Sequence, residues 1–103
     1  MLIVTTEYIS GKELETIGYC KGATVETVHA GKDLAASLKT LVGGEVKGYS
    51  ELMNKSRQEA VSRMVADAES KGADAIIGLR FATSSIMQTA AEVLAFGTAV
   101  KFK

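Results

Sequence analysis

Hydrophobic and polar residues recur along this chain with two periods, and each change of period marks the boundary of an element. Alternating and β-branched stretches favour strands, whereas apolar residues at three- and four-residue steps favour helices. The pattern predicts six elements in this order: strand Leu2–Thr6, strand Leu14–His29, helix Gly31–Val42, helix Ser50–Lys71, strand Ala75–Ala82 and strand Val93–Phe102.

The second helix carries the strongest pattern. Ser50 is the predicted N-cap, since its hydroxyl can accept a hydrogen bond from an unpaired backbone N–H, and Gly72 is the predicted C-cap. Glu51 to Arg63 places charges of alternating sign on the solvent side. The predicted buried stripe consists of Leu52, Met53, Ala60, Val61, Met64, Val65 and Ala68.

The strands differ in the faces that they present. Ala75–Ala82 is apolar on both sides except at Arg80, which predicts a strand covered on both faces and interrupted at Thr83–Ser85, with extension through Met87 as the alternative. Gly18 and Gly22 predict bulges or a bend. The last strand presents small residues on one face, which a helix or a neighbouring subunit could approach closely: Val93, Ala95, Gly97 and Ala99.

These elements predict one α+β domain over residues 1–103, with two layers and an antiparallel sheet packed on helices. The length of 103 residues suits one domain with one core.

Twelve basic and twelve acidic residues give a net charge of zero. Nucleic acids and anionic membranes reward clustered positive charge, so neither is an expected partner. Zero net charge mildly favours self-association. The single Cys20 forms no internal disulfide, and no signal sequence or long apolar run is recognisable, so we expect a cytoplasmic protein.

Several motifs together resemble the YbjQ family of small bacterial proteins of unknown function, over essentially the whole chain. The motifs are Ile9-Ser10-Gly11, Gly31-Lys32-Asp33-Leu34, Gly43-Gly44-Glu45 with Tyr49, Leu52-Met53 with Arg57 and Ala60, the run from Gly72 to Phe81, and Phe96-Gly97-Thr98-Ala99-Val100. The resemblance implies a fold similar to the dodecin subunit and assembly into a closed ring, which we expect to be a pentamer. Family members are often labelled heavy-metal-binding, a label that supplies no ligand set for this chain.

The chain contains few of the residue types that bind metal ions. Zinc and softer metals take about four Cys, His or carboxylate ligands, commonly in closely spaced pairs. This chain has one cysteine, Cys20, and one histidine, His29. They could share a site only if the strand between them bends sharply, or between subunits, where symmetry multiplies each ligand. An ordinary structural role for both residues is the competing interpretation.

Arg80 is the most conspicuous candidate for ligand binding, because a charge inside an apolar strand is costly unless it is paired. The predicted partners are Glu92, Asp74, Glu45 or a group at a subunit interface. Glu45 and Tyr49 complete the candidate ligand-binding set. A purely structural ion pair is the competing interpretation.

Catalytic motifs are weak. Cys20 and His29 lie roughly 30 Å apart along an extended strand, too far for a nucleophile and its base. Ser84 and Ser85 lack the G-x-S-x-G turn. The glycine-rich stretch Gly43–Gly48 lacks the ending of a phosphate-binding loop and is better interpreted as a turn.

Three functions follow as hypotheses. The first is a non-enzymatic homo-oligomer that binds a small ligand or ion at its subunit interfaces. The second is a metal-binding protein that uses Cys20, His29 or carboxylates. The third is an enzyme of unknown reaction, with Arg80 and Glu45 in a pocket between subunits.

Overall fold

A computed structural model describes residues 1–27, 47–87 and 90–103 of the chain. The described elements are the strands β1 (Leu2–Ile3) and β2 (Leu14–Thr27), the helix α1 (Lys47–Ser70), and the strands β3 (Ala75–Met87) and β4 (Ala90–Phe102). They form a small α+β unit in which one helix packs on a four-stranded sheet of order β1-β3-β4-β2. The predicted helix Gly31–Val42 lies outside the described residues.

The sheet is mixed, which corrects the prediction of an antiparallel sheet. β2, β4 and β3 pair antiparallel, as predicted, but β1 pairs parallel with β3 through Leu2 and Ile3. A two-residue strand carries no pattern from which its direction could be predicted. The direction of β1 is set by the segment that follows it, which stays hydrogen-bonded to β3 through Val4 and Thr6.

β3 does not end at Ala82, so the predicted interruption at Thr83–Ser85 is wrong and the alternative extension to Met87 is correct. β4 begins at Ala90, three residues earlier than predicted. Each strand supplies the missing partner for the other, because Thr83 pairs with Val93 and Ser85 with Ala91. Backbone pairing therefore outweighs the weak strand preference of the two serines.

Two irregularities bend the long strands. The register of β2 shifts between Thr16 and Gly18, which confirms the bulge predicted at Gly18. The register of β3 shifts between Ile77 and Arg80, where Gly78 adopts a φ of 64°. This left-handed conformation suits glycine because the residue has no Cβ. The shift sends Leu79 to the helix side of the sheet and Arg80 to the other side.

Helix α1 lies across β2 and β4, and the seven residues predicted to form its apolar stripe are buried or half-buried. Ala60, Met64 and Ala68 are fully buried against the sheet, on the face that carries Val93, Ala95 and Ala99 of β4. The small-residue face of the last strand is thus covered by the helix, one of the two predicted outcomes. Ser50 is not an N-cap, because the helix already includes Lys47.

Gly22 sets the distance between the helix and the sheet. A Cβ at this position would overlap the backbone nitrogen of Met64 and the backbone carbonyl oxygen of Ala60. No bulge occurs at Gly22, so that the second predicted irregularity is wrong. The glycine is needed instead for close approach of two backbones.

A smaller core lies on the opposite, outer face of the sheet, at the end near the chain termini. Ala75, Ile77 and Val100 are buried there beneath Val4 and Ile9 of the N-terminal segment. The segment is tied to β3 by hydrogen bonds from the backbone N–H of Gly78 to the Thr6 carbonyl and from that of Leu79 to the Val4 carbonyl. Within the part of the chain that the structure describes, the sheet is therefore covered on both faces only at this end.

The free edge of β2 is occupied by side chains of the helix. The Lys21 backbone N–H donates to Asp67 Oδ2 over 3.0 Å, and Lys71 Nζ donates to the Tyr19 carbonyl over 2.8 Å. Arg63 Nη1 donates to the carbonyl of Ala23. An open edge strand is a template for pairing with another chain. Here the helix closes that edge between Tyr19 and Ala23.

Replacing Gly22 with alanine should destabilise the fold by about 3 kcal/mol, because the new methyl group meets helix backbone that cannot move aside locally. Gly11→Ala is the control. Gly11 has open space around its Cβ direction but a φ of 74°, so its replacement should cost about 1 kcal/mol of conformational strain. Urea unfolding measures both. Equal losses of unfolding free energy in the two variants would show that the close approach of helix α1 to β2 at Gly22 does not limit stability.

Ionised Asp67 should stabilise the protein at neutral pH. The hydrogen bond from the Lys21 backbone, and then the contact with Lys71, hold the pKa of Asp67 below its ordinary value of 3.8. This stabilisation is present above that value and is lost as the pH falls through the lowered folded-state pKa. Asp67→Asn should therefore unfold at lower urea concentration than the wild type at neutral pH, with the gap narrowing as the pH falls below 3.8.

The control for that measurement is Glu69→Gln, which removes an acidic charge from the same end of the helix without breaking a bond to β2. Its unfolding midpoint should stay close to that of the wild type. A pH dependence that is identical for Asp67→Asn and Glu69→Gln would rule out the edge contact as its source.

Candidate functional site

Arg80 follows the bulge of β3 and points to the outer face of the sheet. Its Nη1 donates to the carbonyls of Thr5, over 2.9 Å, and Leu79, over 2.7 Å. Its Nη2 lies 3.8 Å from Glu7 Oε1, and the Arg80 side chain remains 54% exposed. The guanidinium is therefore held by the N-terminal segment with part of its surface open to solvent.

This position corrects two expectations. Burial along β3 ends at Ile77, and β3 is exposed from Arg80 to Ile86, so that the strand is not covered on both faces throughout. Among the described residues, Arg80 pairs with Glu7 instead of Glu92 or Asp74, and Asp74 accepts a hydrogen bond from the Phe102 backbone. An exposed ion pair of this kind contributes little to stability.

Other candidates cannot be assembled with Arg80. Glu45 and His29 lie outside the described residues. Tyr49 lies in the first turn of α1, where only the backbone is described. The candidate glycine-rich turn also lies outside the described residues up to position 46, and Lys47 and Gly48 already belong to the helix.

Cys20 is fully buried between the sheet and helix α1, in the main core. Burial, and then the nearby Asp67 carboxylate, raise the pKa of its thiol above the ordinary value of 9.0. The thiolate is the form that binds metals and attacks electrophiles, and it is disfavoured here. The structure therefore supports the interpretation of Cys20 as a small core residue.

The chain offers no bend that would bring Cys20 towards His29 within the described part of β2. From Cys20 to Thr27, β2 pairs with β4 in unbroken register, a span of roughly 23 Å. No cluster of three or more Cys, His, Asp or Glu side chains suited to a metal ion occurs within residues 1–27, 47–87 and 90–103. The described residues do not fit a heavy-metal centre within one chain.

Two open surfaces were missed by reasoning from the sequence. The first is the distal outer face, defined as the outer side of the sheet at Phe96, Leu94 and Glu92 of β4 and their cross-strand neighbours. The second is the distal edge of β3, Phe81–Met87, which contains no charged residue. The exposed large apolar side chains on and beside these surfaces are Tyr19 (68%), Val25 (57%), Ile86 (50%), Phe81 (45%) and Phe96 (38%).

A signal for these surfaces does exist in the sequence. Leu94 and Phe96 alternate with the small residues of β4, so both faces of that strand are apolar. A single described helix covers only one of them. Among the described helices, none is long and apolar enough to cross a membrane.

The fold and its surfaces define a small α+β protein in which one helix covers part of a mixed four-stranded sheet. A solved structure with this fold is that of a protein of unknown function from Pediococcus pentosaceus ATCC 25745, assigned to the DUF74 family. It aligns with a TM-score of 0.72, covers 100% of this chain and 98% of its own, and is 16% identical. At this identity the likeness shows the fold alone.

Sequence comparison identifies the family. The chain belongs to the YbjQ family, whose model matches residues 1–103 and is described as "Putative heavy-metal-binding". The UPF0145 protein of Clostridium novyi (strain NT) is 58% identical over 98% of each chain. That of Pseudothermotoga lettingae is 56% identical over 100% of this chain and 98% of its own. The resemblance stated from the motifs is confirmed.

The Cys20 thiol of the native protein should react with a thiol-specific disulfide reagent at least about a hundredfold more slowly than in the urea-unfolded chain. Both its burial and its raised pKa oppose formation of an accessible thiolate. Absorbance of the released reagent measures the rate, and the unfolded wild type is the control. A fast native reaction, or a thiolate–Cd²⁺ absorption band in the native protein, would contradict a structural role.

Proposed function

We propose that this protein is a non-enzymatic homo-oligomer that closes into a ring and binds a small ligand or ion at its subunit interfaces. The observation that carries the proposal is the uncharged, exposed distal edge of β3. The family resemblance supports a pentamer as the ring size. The single cysteine supports a reducing compartment, the cytoplasm, as its location.

The two edges of the described sheet are treated differently, which supports pairing between subunits. The β2 edge is closed by Asp67, Lys71 and Arg63 of the helix. On the β3 edge, the backbone hydrogen bonds to the described N-terminal segment end at Leu79, and its side-chain contacts end at Arg80. The next part of this edge, Phe81–Met87, contains no charged residue, proline or glycine that would discourage pairing with a strand of another chain.

The apolar side chains beside that edge give a neighbouring subunit something to bury. Phe81 and Ile86 are each about half exposed. Contiguous exposed apolar surface is typical of interaction sites. When an edge pairs with a different surface of the next subunit, the contact is heterologous. Repetition of a heterologous contact closes a ring when the rotations between subunits add up to a full turn, and otherwise gives a filament.

Arg80 is the residue on which the ligand site is proposed. It begins the exposed part of β3, immediately before the proposed interface, and its guanidinium is held in place by the carbonyls of Thr5 and Leu79. A held, half-exposed guanidinium suits an anionic group such as a carboxylate or phosphate. Glu45 and Tyr49 remain predicted members of the site.

Native mass spectrometry and light scattering test the assembly. The wild type should form one discrete oligomer at micromolar concentration, and Ile86→Lys should shift it to monomer because a charge would be buried in the interface. Tyr8→Lys is the matched control, since it places the same charge at another exposed large hydrophobic residue and should leave the oligomer intact. A monomeric wild type would overturn the proposal.

A separate measurement tests the proposed ligand site at Arg80. Gentle native mass spectrometry of the oligomer purified from its host should show additional mass that is absent from the denatured chain. Arg80→Ala should lose this mass while keeping the ring. Retention of the same mass by Arg80→Ala would remove Arg80 from the site but leave the assembly untouched.

A further inference from the structure

We propose that the distal outer face is a second, two-fold interface that pairs this chain with another copy of itself, face to face. The inference rests on the proposed function in one respect, because it joins subunits that the β3 edge has already assembled into rings. It concerns a different surface from the β3 edge. Its evidence is the arrangement of charges and side-chain sizes across three strands.

The charges on this face are separated along the strands. At one end, Phe96 lies between Arg80 of β3 and Lys21 of β2, which share its position across the sheet. Four residues further along β4, roughly 13 Å away, lies Glu92 between Ser84 and Val25. Glu7 also lies at the Arg80 end, with its Oε1 3.8 Å from Arg80 Nη2. Two cations and one carboxylate leave that end net positive, whereas Glu92 makes the other end negative.

A two-fold axis lying in the interface, perpendicular to the strands, makes this arrangement self-complementary. It places the Glu92 end of one copy over the Arg80 and Lys21 end of the other. Each Glu92 then comes to lie above Phe96 of its partner, between two cations. Glu92 forms no ion pair within residues 1–27, 47–87 and 90–103, so pairing with a second copy breaks no such contact there.

The sizes of the side chains fit the same axis. The central row consists of Leu94 flanked by Ala82 and Ala23, and the axis places this row over its own copy. Small residues at the centre let two sheets approach to the usual distance of about 10 Å. The axis also sets Lys21 over Val25, whose side chain is exposed in the single chain.

The size of the face indicates how strong the contact can be. Three strands and three rows cover on the order of 15 by 20 Å, which is less than the roughly 800 Å² that each partner buries in a standard interface. An isolated two-fold pair should therefore be weak. When a ring presents several such faces on one side, the contacts act together and hold two rings in one particle.

The experiment measures the mass of the assembly by light scattering and native mass spectrometry over a range of protein concentrations. The wild type should form particles of twice the ring mass. Glu92→Lys should convert them to single rings, raising the dissociation constant between rings by about tenfold or more. Glu69→Lys makes the same charge change on the exposed end of the helix and should leave the double particle intact.

Mixing two variants with complementary charge reversals gives the decisive test. A chain with Lys21→Glu and Arg80→Glu should fail to pair with itself, yet its mixture with Glu92→Lys should recover the double particle, because both charge contacts are restored. Circular dichroism checks that each variant is folded. If the Lys21/Arg80 double variant is not folded, Glu92→Gln takes its place and should weaken pairing less than Glu92→Lys.

The outcomes separate this inference from the proposed function. Single rings for the wild type at all concentrations overturn the two-fold interface and leave the ring proposal standing. Double particles that resist Glu92→Lys also overturn it. A wild-type dimer that Glu92→Lys dissociates supports the two-fold interface while rejecting the ring, and a monomer at all concentrations rejects both.

Discussion

The close contact between helix α1 and β2 at Gly22 is the constraint on which the described structure depends. Because this glycine has no side chain, the helix backbone at Ala60 and Met64 can lie directly on the strand. At that distance the small residues Ala60, Ala68, Ala95 and Ala99 line the core beside the larger side chains of Met64, Ile76 and Val93. The same distance brings Asp67 and Lys71 to the β2 backbone, where they close its edge.

Placing the helix over β2 and β4 leaves the other part of the described sheet without a cover. The N-terminal segment shields the outer face only near Ala75, Ile77 and Val100. β3 continues for ten residues beyond Ile77, and the apolar side chains of Phe81 and Ile86 are exposed there. A closed edge on one side and an open, uncharged edge on the other favour an assembly with a defined direction, which is what a ring requires.

The chemistry of the described residues argues against the activity that the family description suggests, at least within one chain. Cys20 lies in the core with its pKa raised, and no metal-ligating cluster occurs in the described ranges. Arg80 is different, because its guanidinium is held by backbone carbonyls and half exposed. A ligand site built around Arg80 draws on surfaces that a second chain can reach. The function proposed for Arg80 is therefore tied to the proposed assembly.

The sequence by itself determined the helix, the buried stripe at Ala60, Met64 and Ala68, the bulge at Gly18 and the family, because periodicity and motifs are local properties. It misjudged the extent of β3 and the surroundings of Arg80. A strand with apolar residues on both faces looks the same in sequence whether its second cover comes from its own chain or from another. Only the tertiary structure decided where the single described helix lies, and so which apolar surface remains open.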